Sequence, residues 1–416
     1  MAILHDELNR VIGELWTDGV LLRELLRHIL GKQGLSASDA EIESLVQAIE
    51  AGAGSIEVPV DAQEQSISIS PDMVERAMHE LEEKMDTDAE RAITRLVDQL
   101  APRILRSLYE ALPEALREWH ASQRAFERRL HRRWKEGMDR LDMLVTMAHE
   151  SGEMYLEDLR REFDGKDPSE ESVLMDVLTV LHCRACRTAR EIVCLLKAGY
   201  ADGAHARWRS LHELAVVAYF LLQHRGDTPQ RYLDHAAVES WEAAKQYQRH
   251  CHMLGYEPLS ADELKELEKA SDAVIGKYGE SFNGDYGWAA QALKAPRPTF
   301  TQIEASLDMS HWRPFFRLAC QSVHASSRGL FFSLGMPPHS RTILLAGASD
   351  AGLSDPGHQA AISLTMVTTA FLTSRPNLDG LVACRCLLTL CDDTGKEFLR
   401  THEETPKNAH SPPDKK

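Results

Sequence analysis

Apolar residues recur every three to four positions along most of this chain, and strict alternation is confined to one short stretch. The first stripe, Leu4, Leu8, Val11, Leu15, Leu22, Leu25 and Ile29, predicts a helix over 3–30 that ends at Gly31 and Gly34. Ser38, with Glu41 three residues on, has the form of a capping box and opens a second helix to about Ala51. Between Ser55 and Ser70, Ile56, Val58 and Val60, then Ile67 and Ile69, alternate with polar neighbours. That is the pattern of a small hairpin or of an extended linker. Helical periodicity returns over 71–85, 87–109 and 113–155, and the run Asp164-Gly-Lys-Asp-Pro168 breaks it and marks a domain boundary.

Three consecutive helices follow over 170–200, 202–224 and 228–254, with Gly199 and Gly226 where turns are needed, and a fourth over 260–280. The segment 278–288 is too rich in glycine for regular structure, yet it holds Tyr278, Phe282, Tyr286 and Trp288. Loops that spend aromatics pack them, so this one is expected to fold back over the core. Helices resume over 301–306, 312–332, 357–372 and 380–390, and the last two carry so little charge that they read as central core helices. Beyond 400 the periodicity stops, which predicts a disordered tail at 401–416. The reading is all-α: a helical bundle over 170–400, preceded by an N-terminal helical region over 1–165.

Composition sharpens this in two places. Residues 1–100 hold 21 acidic and 8 basic side chains, so most of the net charge of -17 sits in under a quarter of the chain. The stretch 119–135 reverses the sign, with six Arg or Lys against Glu127, and its helical spacing places Phe126, Leu130 and Trp134 together. A uniformly basic nucleic-acid binder is excluded; a solvated helix face or a local polyanion contact is not. The absence of a leader pattern and of long uncharged apolar runs points to a cytoplasmic protein with no membrane contact. Eight cysteines, several within apolar helical text, read as structural thiols. Cys183-x-x-Cys186 has no second pair at zinc spacing, so no metal and no cofactor is expected.

Candidate chemistry lies where charged and imidazole side chains interrupt apolar helix faces. His205, Arg209 and Glu213 follow one another at four-residue steps with His212 beside them, and Arg187 and Glu191 repeat the step one helix earlier. Two Arg-to-His spacings accompany them: Arg207 to His212, and Arg317 to His324. Metal-free RNA cleavage needs a base near the ribose hydroxyl and a cation on the phosphate, roles that His and Arg supply. On a regular helix Arg317, Gln321, His324 and Arg328 share a face, whereas Arg207 and His212 lie about 140° apart. Convergence of Glu191, Arg209, Glu213 and His324 at one cleft or buried network, lidded by Tyr286 and Trp288, is the expectation. Phosphate-loop, dinucleotide and His-Glu-x-x-His patterns are missing, and so is the nucleophile elbow of a serine hydrolase.

Several stretches carry a resemblance: Arg190-Glu191 with Leu195 to Gly199, Gly203-Ala204, Arg209-Ser-Leu-His-Glu213, Tyr278-Gly, Tyr286-Gly-Trp-Ala289 and Ser322-Val-His-Ala-Ser326. Through them residues 178–355 resemble a bacterial family known as domain of unknown function 5677, which implies an all-helical fold and, for some members, a phage-defence setting. The same segment is distantly similar to the HEPN superfamily, whose ribonucleases carry Arg-x4–6-His on a bundle helix and assemble their site across a dimer. Trp208 and Leu318 stand where those enzymes have a polar residue after the arginine. The resemblance implies a metal-independent RNA endonuclease of a defence or toxin system, working as a homodimer on RNA. His324 or His212 would be base or acid, and Arg209, Arg207 or Arg317 would bind the phosphate. The alternative is a non-catalytic sensor or scaffold with a structural Arg–Glu–His core, whose acidic N-terminal region engages a protein partner.

Overall fold

The computed structural model describes residues 5–6, 9–10, 20–32, 37–51, 56–59, 66–69, 73, 87–163, 170–336 and 345–404. The predicted helix over 71–85, apart from Met73, the break at 164–168 and residues 405–416 of the predicted tail lie outside the described residues, whereas 401–403, expected to be disordered, end the last helix. So does most of the expected first helix before Val20. The chain forms two compact units, Met1–Ala125 and Phe126–Lys416.

In the first unit, helix α1 (Val20–Lys32) continues through Gly31, where the sequence suggests a stop. Helix α2 (Asp39–Glu50) begins at Ser38 with the predicted capping box: the Ser38 hydroxyl accepts from the Glu41 amide, and the Glu41 carboxylate accepts from the Ser38 amide. Leu26 and Leu30 pack with Ile42, Leu45 and Val46, and Arg23 pairs with Glu43 at 2.7 Å. The alternating stretch is a hairpin of β1 (Ile56–Pro59) and β2 (Ser66–Ile69), antiparallel with Ile56 opposite Ile69 and Val58 opposite Ile67.

One helix, α3 (Thr87–Phe163), runs where the periodicity suggested two, with Pro102 and Pro113 inside it. A proline removes the hydrogen bond to the carbonyl four residues earlier. Here those carbonyls belong to Asp98 and Tyr109, both exposed, so water can take over the lost bonds. The division between units falls within this helix rather than at 165, because Leu130, Trp134, Met138, Leu141, Leu144, Val145, Ala148 and Leu159 all belong to the core of the second unit. On the basic stretch Arg128, Arg129 and Arg132 are exposed. Arg133 instead pairs with Asp350 at 2.7 Å, and Trp134 Nε1 donates to the Asp350 carbonyl.

The second unit continues with α4 (Glu170–Lys197), α5 (Ala201–Gln223), α6 (Thr228–Asp234), α7 (Ala236–His250) and α8 (Ala261–Tyr278). After these come the short helices α9 (Ala290–Leu293) and α10 (Phe300–Ser306), then α11 (Arg313–Val323), α12 (Ser354–Leu372) and α13 (Leu378–Glu403). Gly199 and Gly226 adopt φ of 82° and 83°, the left-handed turns that β-carbon-bearing residues resist. Helices α4, α5 and α12 pack on one another, and α13 lies on α12. Their charge-poor sequences have different outcomes. Helix α12 is buried on nearly every side, as expected. Helix α13 is amphipathic, burying Cys384, Leu387, Cys391 and Phe398 while Leu378, Leu381, Val382 and Leu388 face solvent. Uncharged text on a helix does not by itself specify burial on all faces.

The glycine-rich loop after α8 folds back as expected, with Phe282 and Trp288 buried and Tyr286 half-buried. A β-carbon on Gly287 would lie 2.1 Å from the Phe282 carbonyl oxygen, so only glycine closes this turn. Between α3 and α4, Gly152 admits the His182 ring, which stacks on Phe371 at 5.1 Å. The architecture is all-helical apart from the hairpin, and no described helix is long and apolar enough to cross a membrane.

Candidate functional site

Helix α5 is the spine of the candidate site, and its polar side chains leave in three directions. Arg207 turns to α4, where it pairs with Glu191 and donates to Thr188 Oγ1 at 3.4 Å. Glu191 also meets Arg187 at 3.8 Å, as the four-residue spacing implies. His212 points the other way, as a five-residue step on a regular helix requires. Its Nε2 donates to Glu304 Oε1 of α10 at 2.9 Å. A carboxylate only accepts, so this bond sets the imidazole tautomer. Arg209 and Glu213 lie between these directions, paired at 3.1 Å, with the Arg209 guanidinium 4.9 Å from the centre of the Phe316 ring of α11.

Glu304 is the hinge of this arrangement. Thr299 caps α10 through a reciprocal bond with Gln302, and Asp308, at φ 57°, turns the chain back so that α11 returns toward α10. Arg313, the first residue of α11, thereby reaches the second oxygen of Glu304 as an ion pair. The His212 and Glu304 side chains are 1% and 0% exposed. Trp208, Phe316, Phe300 and Trp312 surround the imidazole, with ring centres 5.3 to 6.3 Å away. A carboxylate at such depth is tolerated because His212 hydrogen-bonds one oxygen and the Arg313 charge faces the other. Above this chain lie the partly exposed Arg209, Glu213, Arg313 and Tyr286. Burial pushes the Tyr286 phenol above its ordinary pKa, the charges of Glu213 and Asp285 add to the rise, and Arg209 and Arg313 oppose it.

The sequence-predicted residues therefore separate. Arg209 and Glu213 meet, and His212 lies beside them under the same aromatic ring. Glu191 is engaged by Arg207 and Arg187 instead of Arg209. The predicted face through Arg317, Gln321, His324 and Arg328 does not form, because α11 ends at Val323 and His324 adopts an extended backbone. Arg317 and His324 are both exposed. Trp288 is not a lid: it packs edge-on against Phe220 and Tyr232 in the core. Glu304 and Arg313 escaped the sequence reading, since their partners are far along the chain or across a turn. The available signal was an acidic residue beside Ile303 in a short apolar helix with no cation four residues away.

All eight cysteines are free thiols. In the Cys183-x-x-Cys186 pair, Cys183 is exposed, while burial pushes the Cys186 thiol up to about 12.

Residues 175–340 match the model of a family described as "Family of unknown function (DUF5677)". The match begins within α4, runs through α11 and includes every residue of the buried chain. No curated protein and no solved structure matches the chain.

Proposed function

We propose that this protein is a non-catalytic sensor or scaffold, whose Arg–Glu–His network holds the bundle together and whose acidic N-terminal region engages another protein. The observation that carries the reading is the enclosure of His212 and Glu304, at 1% and 0% side-chain exposure. A general base must come within hydrogen-bond reach of the proton it removes. An imidazole closed in by four aromatic rings and bound to a carboxylate does not offer that reach. Arg207, the cation at the ribonuclease-like spacing from His212, faces α4 and neutralises Glu191.

A second reading, the metal-independent RNA endonuclease of a defence or toxin system, draws on Arg317 and His324. Both are exposed, and so are the neighbouring apolar residues Val323, Leu330 and Phe331. In a cytoplasmic homodimer, a second copy covering this surface would complete a site around them.

Incubating purified full-length protein with total RNA in EDTA separates the two, with His324→Ala and His212→Ala as comparisons. The sensor reading expects intact RNA throughout. Cleavage that survives EDTA and disappears in His324→Ala would establish the nuclease and overturn the sensor.

A further inference from the structure

Arg209 and Arg313 come from different helices and reach the same ring: their guanidinium carbons lie 4.9 and 5.3 Å from the centre of Phe316. Each has one carboxylate partner, Glu213 and Glu304 respectively. Among the described residues the buried Nε of Arg209 finds no hydrogen-bond acceptor, and neither do Nε and Nη2 of Arg313, whose Nη2 meets Glu304 as an ion pair. Cationic donors held in a partly buried place without acceptors are costly, and such groups ordinarily have a partner. Tyr286 stands within electrostatic range of both guanidinium groups, its ring 6.2 Å from Phe300. Arg313 lies over Phe300 and Phe316 and Arg209 over Phe316, contacts that restrict both arginines and lower the entropy lost when they grip a ligand.

We propose that Arg209, Arg313 and Tyr286 form a recognition site for a small oxyanionic ligand, one presenting a phosphoryl or carboxylate group to two arginine donors and a phenol. The inference deepens the sensor reading and rests on it: the ligand would be what the bundle senses. Binding the oxyanion would bridge α5, the 278–288 loop and α11. Occupancy would therefore stiffen that corner of the fold.

The test is calorimetric titration and thermal melting of the full-length protein with inorganic phosphate, pyrophosphate and succinate, each to about 10 mM, where a millimolar or tighter site raises Tm by mass action. Saturable binding of at least one probe is expected. Preference for the phosphates assigns a phosphoryl group, and preference for succinate a carboxylate. Arg209→Lys keeps the charge but loses the Nε donor, and it should weaken binding about tenfold or more. Tyr286→Phe should weaken it in the same direction, and it supplies a second reading should the lysine variant fold poorly. Arg249→Gln, at an exposed position on α7, should bind like the parent. Absence of saturable binding by all three probes overturns the site, as does equal affinity in Arg209→Lys and Tyr286→Phe. Ligand binding together with EDTA-resistant RNA cleavage would remove the sensor reading and leave the oxyanion site standing.

Discussion

Replacing Glu304 by alanine removes, in one change, the acceptor of His212 Nε2 and the ion partner of Arg313. Neither group gains compensation in place: His212 is 1% exposed among aromatic rings, and Arg313 is 21% exposed. Breaking a buried charged pair by deleting one partner costs about 3–5 kcal/mol, because the other partner is left desolvated. Arg313 retains some access to water, which places the expectation toward the lower end, about 3 kcal/mol. Against a typical domain stability of about 5–15 kcal/mol this is a large fraction. At about 2–4 °C per kcal/mol, it should lower Tm by roughly 6–12 °C. Thermal melting followed at the helical circular-dichroism band measures it. The double variant His212→Ala with Glu304→Ala should cost less than the sum of the singles by about 0.5–3 kcal/mol, the coupling expected of residues in direct contact. A loss below about 2 °C for Glu304→Ala, or strict additivity in the double variant, would refute the claim that this chain holds α5 to α10 and α11.

Two further predictions concern the contact between α3 and α4. Alanine normally favours a helix over glycine by about 1 kcal/mol, but at Gly152 the new methyl would lie 2.2 Å from His182 Cε1; Gly152→Ala should therefore lower Tm, consistent with an overpacking cost of about 1–3 kcal/mol, and a raised Tm would contradict the packing. Burial, with a smaller contribution from the charge of His149, drives the His182 pKa down to about 4 from 6.5. The unfolded chain then takes up a proton before the folded one does, so stability should fall as pH drops from about 6.5 to 4 and gain no further loss from this group below that. Urea unfolding at pH 7 and 4.5 should show a shallower pH dependence for His182→Leu than for the parent, and equal slopes would remove His182 from the account.

Much of the helical layout was legible in the chain alone. Capping at Ser38, the turns at Gly199 and Gly226, and the folding back of 278–288 all followed from local rules: a side chain that satisfies free amides, a backbone angle that glycine permits, aromatics that water excludes. Element ends were less legible. Helix α11 stops at Val323 although the apolar pattern runs on, and α3 passes through two prolines at places where the residues four positions earlier, Asp98 and Tyr109, are exposed.

Within the site, the sequence by itself determined directions but not partners. The four-residue step puts Arg209 against Glu213, and the five-residue step sends Arg207 and His212 to different sides of α5; both follow from the pitch of a single helix. Which group His212 would meet depended on Glu304, 92 residues away, and on the turn at Asp308 that brings Arg313 back to it. The burial of His212 and Glu304 arises when α10 and α11 close over α5. Periodicity reports which face of a helix is apolar, whereas the identity of what covers that face is decided only when distant segments compete for it in three dimensions.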